Sequence, residues 1–274
     1  MPKKFTTPFE IPDGPVPPHV EQFDEQTRRV EALCTAAQLV LESGGETYRV
    51  EETVKRMAAG LGVEDINVVA FPTSIFVETQ GRTCLRRISR RGTNMRRLVM
   101  TNDVSRHAAQ GELSLSQVER ALYAISRDPG RPQRELVFAC ALTAGSFSLL
   151  FGGGLGTFIV AFVIGALIQL AQPLFSPMTM GALFGNFTGG MITAVLARAV
   201  ASFWAYGDMN AAIIGGIMPL LTGLLMTTAV RDTMYGDLVS GVTRALEALL
   251  LAASVALGVY VGLELMMLLG GVPL

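Results

Sequence analysis

The 274 residues carry 22 Lys and Arg against 23 Asp and Glu, a net charge of −1, which excludes a protein whose main partner is a polyanion such as nucleic acid. Half of the residues are hydrophobic and the mean hydropathy is +0.42, which points towards a membrane. The averages hide a split: residues 1–135 hold 19 basic and 18 acidic side chains, whereas 136–274 hold three arginines (198, 231, 244) and five acids (208, 232, 237, 247, 264), so the two halves belong in different solvents.

Six prolines in the first twenty residues, with no apolar signal segment, read as a disordered leader over 1–20, and the domain that follows should stay on the side where it was made. From Glu21 to Glu42 the stripe Val30, Leu33, Cys34, Ala37, Leu41 has helical spacing, and Ser43-Gly44-Gly45 supplies a stop. Thr47 can N-cap a second helix, Tyr48 to Leu61, with Glu51 and Glu52 near the positive end of its dipole. Three β-like runs follow, Ile66 to Phe71, Ser74 to Thr79 and Thr83 to Ser89, with a break at Phe71-Pro72 and a hairpin turn at Gln80-Gly81. Helices are expected over Asn94 to Gln110 and Leu115 to Ser126, the second opened by a Ser114/Gln117 capping box. The expectation is a soluble α+β domain over 21–130.

Asp128-Pro129-Gly130-Arg131-Pro132 marks the boundary, and 136–274 reads as a transmembrane helical bundle. Its apolar stretches, about 136–151, 155–172, 178–203, 209–230 and 240–269, give about five transmembrane helices. Arg127, Arg131 and Arg134 place the start of the first on the cytoplasmic side, which puts Arg231 and Arg244 there too and the C-terminus outside. Arg198 reads foremost as a snorkelling residue, with a buried pairing to Asp208 as the alternative. Gly181, Gly185 and Gly189, and Gly258 with Gly262, are small-xxx-small patterns suited to close packing within the subunit, with a subunit interface as the alternative.

Chemistry gathers in the stretch 218–250. Asp237, Ser240, Gly241, Arg244 and Glu247 share one helix face, and Arg244 with Glu247 can pair at i,i+3. Charge in hydrocarbon costs roughly 2.5–3.5 kcal/mol per residue on insertion scales, so this face is a candidate ion or substrate pathway. Arg231-Asp232 joins the pathway candidates, although it reads as a cytoplasmic turn between the fourth and fifth stretches. Pro219 breaks a helix and would free a carbonyl near Gly215, so that Pro219, Thr222, Thr228 and Asn186 form either an uncharged substrate site or a packing kink. In the soluble part, Glu46, Thr47, Arg49, Glu51 and Glu52 form a dense charged motif whose simpler reading is helix capping. Eight arginines against Asp103 alone over Arg82 to Arg106 suit anionic lipid, ahead of an anionic solute or nucleic acid, and their simpler reading is a solvated basic face. Three cysteines, Cys34, Cys84 and Cys140, are too scattered for a disulfide framework or a zinc site, and no phosphate loop, dinucleotide fingerprint or H-E-x-x-H is present. An enzyme is not expected, nor is a cofactor.

Taken together, Leu41-Glu-Ser-Gly-Gly-Glu-Thr-Tyr-Arg-Val-Glu-Glu-Thr-Val54, Leu150-Phe-Gly-Gly, Met218-Pro-Leu and Arg231-Asp-x-x-x-Gly-Asp-Leu-Val-Ser-Gly-Val-x-Arg244-x-x-Glu247 resemble the threonine/serine exporter family, in its larger subunit with an N-terminal cytosolic domain. The resemblance covers about residues 25–265. It implies a secondary exporter of small amino acids or dicarboxylates in the cytoplasmic (inner) membrane, completed by a separate small membrane subunit of the same family, in a hetero- or homo-oligomer. Leu221-Thr222-Gly223 and Thr228 depart from the family pattern, where Val-Pro-Gly and Asn are usual, so specificity can differ if those positions touch substrate. Buried acids suggest proton coupling, with Asp237 or Glu247 as carrier and Arg244 as carboxylate partner or counter-ion. The rival reading is a membrane-anchored ligand-sensing or accessory protein without transport activity of its own.

Overall fold

The computed structural model describes residues 22–79, 81–89, 92–128, 130–175, 181–203 and 208–269. The expected leader at 1–20, Gln80 of the hairpin turn, Arg90 and Arg91 of the basic run, and Pro129 of the boundary lie outside them. The chain divides into two compact units: one takes the residues up to Gly130 together with Thr227–Arg244, the other Arg131–Met226 with the residues from Ala245. The first therefore includes a stretch that the composition assigns to the apolar half.

In the first unit the elements run α1 (Glu25–Glu42), α2 (Thr47–Gly60), β1 (Ile66–Phe71), β2 (Ser74–Thr79), β3 (Arg82–Arg87), α3 (Met95–Ala109) and α4 (Leu115–Ser126). The strands form an antiparallel meander in the order β1-β2-β3. Its register pairs Phe71 with Ser74, which turns the expected break at Phe71-Pro72 into a two-residue hairpin loop, and Thr79 with Arg82 between the second and third strands. Val68, Ala70, Ile75 and Val77 point to one face and join Leu33, Leu41, Val54, Met57, Leu122 and Ile125 in the core. That alternation is why runs of β-branched residues pair as strands here. The Ser114/Gln117 capping box opens α4 as expected.

Cysteine chemistry departs from expectation. Cys34 of α1 and Cys84 of β3 are joined as a disulfide, their Cα atoms 6.5 Å apart across a sequence separation of 50. Spacing along the chain says nothing of which side chains a sheet edge and a helix bring face to face, and this pairing overturns the reading of three unrelated thiols.

The second unit contains α5 (Gln133–Leu150), α6 (Leu155–Phe175), α7 (Gly181–Phe203), α8 (Met209–Ile217) and a 3-10 turn (Met218–Leu220). Helix α9 (Gly223–Met234) begins in it and α10 (Leu238–Leu268) ends in it. Among the described residues three segments, Leu155–Leu174, Gly181–Val200 and Leu238–Leu268, are long and apolar enough to cross a membrane, or four if Met209–Leu220 and Gly223–Met234, bent by 53°, count as one span. The expected five are thus reduced to three or four. Helix α5 has 18 residues and opens on Gln133-Arg134-Glu135, which leaves too short an apolar run. Its buried side, Ala141, Ala144, Gly145 and Ser148, is small, and a Cβ on Gly165 of α6 would lie 2.7 Å from that of Ala144. In the same way a Cβ on Gly258 would meet the Phe187 carbonyl at 2.0 Å and one on Gly190 the Val255 carbonyl at 2.5 Å, so α7 and α10 pack backbone to backbone inside the subunit.

Candidate functional site

Two helix ends in the first unit are built alike. Helix α1 closes at Ser43-Gly44-Gly45, where Gly44 takes φ +88°. Gly45 N–H donates to the Val40 carbonyl at 2.9 Å and Gly44 N–H to that of Leu41 at 3.2 Å. Helix α9 closes at Gly236, φ +92°, with Asp237 N–H donating to the Asp232 carbonyl at 2.9 Å and Gly236 N–H to that of Thr233 at 3.1 Å. Both patterns satisfy carbonyls at a helix end and need a left-handed residue that glycine supplies without strain. These turns carry the two charged motifs.

Between them the motifs form one cluster. Glu46, not Thr47, occupies the N-cap position of α2, and its side chain makes no capping bond. The cap comes instead from Asp232, whose Oδ1 accepts the Thr47 N–H at 3.1 Å and the Thr47 hydroxyl at 3.0 Å. Its Oδ2 lies 3.0 Å from Arg244 Nε, a coulombic contact whose N–H is not aligned as a hydrogen bond. Arg244 Nη2 donates to the Gly45 carbonyl at 2.8 Å. Around this pair, Glu46 bridges two guanidinium groups, Arg231 Nη1 at 2.6 Å and Arg49 Nε at 3.1 Å. Tyr48 and Tyr235 stack beside it, centroids 4.0 Å apart and nearly parallel at 10°.

Burial gives the cluster its weight. Asp232 is 0% and Arg244 2% exposed, and Glu46 and Thr47 are buried as well. Charges so enclosed cost several kcal/mol each unless paired. Here the positive end of α2, the Thr47 hydroxyl and Arg244 stabilise one carboxylate together. Gly45 packs tightly: a Cβ there would meet Val40 Cγ1 at 2.6 Å, so the carbonyl that receives Arg244 is held by a position with no room for a side chain. Ser43 and Ser240 are buried too, and their hydroxyls find no partner among the described residues.

Arg231 and Asp232 are therefore not a turn. They lie in the last turns of α9, and Asp232 faces inward; the separator composition of 231–236 marked the helix end a few residues early. Asp237 and Glu51 are half-buried in this unit. Burial pushes the Glu51 carboxyl above its ordinary value and Asp237 adds repulsion, while Lys55 and the Ala70 N–H pull the other way. Glu52 turns outward and pairs with Arg56. Thr228 is buried.

The second unit holds the remaining predicted positions. Pro219 lies in the 3-10 turn, but the Gly215 carbonyl is not freed: it accepts the Met218 N–H. The carbonyl served from elsewhere is that of Leu220, 3.4 Å from Asn186 Nδ2. Thr222 follows the turn half-buried, and Glu247 is half-buried on α10. Arg198 is buried rather than snorkelling. Gly45, read only as part of a helix stop, Tyr48, read only as a helix start, and Tyr235 carry the cluster without having been read as site residues.

Among the described residues, apolar helices of spanning length stand beside a buried charge cluster built at two helix ends, a combination that fits a membrane protein. The profile of the family described as "Putative threonine/serine exporter" matches residues 31–266, and the chain belongs to that family. It is 26% identical over 254 residues to the "Probable threonine/serine exporter" of Mycobacterium tuberculosis, covering 88% of this chain and 47% of that protein. It is 23% identical to the "Threonine/serine exporter" of Corynebacterium glutamicum, over 83% of this chain and 49% of the relative. The chain thus spans about half the length of these relatives. Against the "Probable succinate transporter subunit YjjP" of Klebsiella aerogenes it is also 23% identical, over 88% of this chain and 95% of the other. No solved structure matches it significantly.

Proposed function

We propose that this chain is a subunit of a proton-coupled secondary transporter that exports a small amino acid or a dicarboxylate across the cytoplasmic membrane, together with a separate small membrane subunit of its own family. The carrying observation is the enclosed Glu46-Thr47-Asp232-Arg244 cluster, assembled from two sequence-distant motifs; a passive anchor has no use for such expensive charges. Exporter names among the relatives support transport, and the match over 95% of a protein named as a subunit supports the two-subunit arrangement. The three-stranded sheet and its helices serve as a cytosolic α+β domain, and membrane lipid is the expected neighbour of its arginines.

In this reading Arg244 is the counter-ion of Asp232, and the half-buried Asp237 or Glu247 carries the proton. Reconstituting the full chain with a small membrane protein of its own family in proteoliposomes tests it. Labelled threonine, serine or succinate should move faster when a pH gradient is imposed, and collapsing the gradient should return flux to baseline. Unchanged flux would remove proton coupling, and no flux of any of the three, with both proteins inserted, would leave the accessory reading standing.

A further inference from the structure

The bond between Cys34 and Cys84 crosses from α1 to β3, the last strand of the sheet and therefore one of its edges. Its two sulfurs sit in different surroundings. Cys34 is 0% exposed in the core, whereas Cys84 is half-buried. Cys84 lines a groove of about 570 Å³ whose walls include Thr27, Val30 and Glu31 of α1 and, on the strand, Arg82 and Arg86. Alternation along β3 puts Arg82, Cys84 and Arg86 on one face, where Arg82 pairs with Asp24 at 2.8 Å and Arg86 with Glu31. The disulfide is thus flanked by two ion pairs, and one of its sulfurs is reached from the groove.

Small secreted domains use disulfides where a core is insufficient, but this unit has a core, with Leu33, Leu41, Met57, Leu122 and Ile125 fully enclosed. In the cytosol small thiols keep cysteines reduced, and the disulfides that do form there are mostly transient, catalytic or redox-sensing. A sensing pair has a recognisable build. One accessible sulfur lies beside positive charge, which favours the attacking thiolate, and a second cysteine stands within bonding reach to resolve the product. Cys84, between Arg82 and Arg86, has the first character and Cys34 the second.

Resting on the cytosolic placement of this unit proposed above, we propose that Cys34 and Cys84 are a reversible thiol–disulfide site. Cys84 exchanges with low-molecular-weight thiols and disulfides in the groove, and Cys34 resolves the mixed disulfide. In the oxidising direction the Cys84 thiolate attacks a small disulfide RSSR, forming a mixed disulfide with one half and releasing the other as RS−. Cys34 then loses its proton and attacks the Cys84 sulfur, which releases a second RS− and closes the protein disulfide. Two electrons pass from the cysteine pair to RSSR, the two thiol protons end on two RSH, and reduction runs the same steps backwards.

Glutathione is the probe, with the full chain in detergent and Cys140→Ser removing the remaining thiol. Reduced glutathione should make two cysteines alkylatable in the folded protein, and oxidised glutathione should withdraw both. With oxidised glutathione, Cys34→Ser should gain the mass of one glutathione at Cys84 at least about tenfold faster than Cys84→Ser gains it at Cys34. A bond that reduced glutathione opens only after denaturant has unfolded the chain is a structural cross-link and overturns the proposal, as do equal rates in the two variants. Placement is read separately: in intact cells a membrane-impermeant maleimide should leave Cys84 of the Cys34→Ser variant unlabelled until the membrane is opened. Labelling before that counts against the cytosolic reading, whereas inside placement with a bond closed to glutathione counts against the redox site alone.

Discussion

In the first unit, Glu46 and Thr47 meet partners 185 residues away and Gly45 meets one 199 away, whereas in the second unit Ser148, Thr188 and Thr193 bond to carbonyls three or four residues back in their own helices. The first arrangement exists only when the chain has folded. The second forms with each helix, and tertiary contact there comes from small residues that let backbones touch. Buried polarity therefore joins ends of the chain in the first unit, whereas in the second it satisfies local backbone and links neighbouring helices through single neutral bonds such as Asn186 to Leu220 and Ser254 to Leu183. Removing a charge should propagate in the first unit, and adding a methyl group should do so in the second.

The largest effect is expected at Asp232 and Arg244. Breaking a buried ion pair from one side costs about 3–5 kcal/mol, because it leaves the other charge enclosed and uncompensated. Arg244→Met and Asp232→Leu should each lower the thermal midpoint of the detergent-purified chain sharply. The double variant should lose clearly less than the sum, since neither charge then remains. Additive losses in that cycle would mean that the pair is not coupled and would break the contrast between the units.

A smaller effect is expected at Gly258. A side chain there collides with the Phe187 backbone, which cannot rotate away, so Gly258→Leu should cost about 1–3 kcal/mol by overpacking. Gly223→Ala, with nothing within 4 Å of the added carbon, should stay within about 0.5 kcal/mol of wild type. If both variants unfold at the same temperature, close backbone contact does not organise the bundle.

The smallest effect is at Glu51. Its carboxyl is raised from the ordinary value of 4.5 by burial, so the folded state holds the proton more tightly than the unfolded one. Stability from this group is full below pH 4.5 and is lost as pH rises through the higher folded value. Glu51→Gln should therefore be more stable than wild type at pH 7, with the difference vanishing as pH falls below 4.5. A difference independent of pH would show that the carboxyl is not penalised by burial.

Much of this was legible from sequence because it is local. Gly44 ends a helix by a conformation that few other residues accept, Ser114 and Gln117 cap by contacts three residues apart, and alternation in 66–87 fixes which strand faces are buried. The threonine/serine exporter motifs were legible as a set. What was not legible is pairing at a distance. No period or propensity joins Thr47 to Asp232 or Cys34 to Cys84, and a charged pair at a helix end reads as a turn until its depth is known. Arg198 failed for the same reason, since one helix cannot show whether its neighbours leave a path to the interface. The count of spans failed differently: the apolar run of α5 is a few residues short, a matter of length at a threshold.

The cap that Asp232 places on α2 has a consequence for how this polypeptide can be divided. Helix α2 obtains its first-turn acceptor from the far side of the apolar half, so a fragment ending anywhere between Gly60 and Thr227 carries a helix start without its carboxylate and a buried Glu46 without Arg231. The complementary fragment carries Asp232 and Arg244 without the Thr47 amide or the Gly45 carbonyl. Each piece lacks partners that the other holds, so for truncation or fusion the two motifs form a single cassette interrupted by the apolar helices.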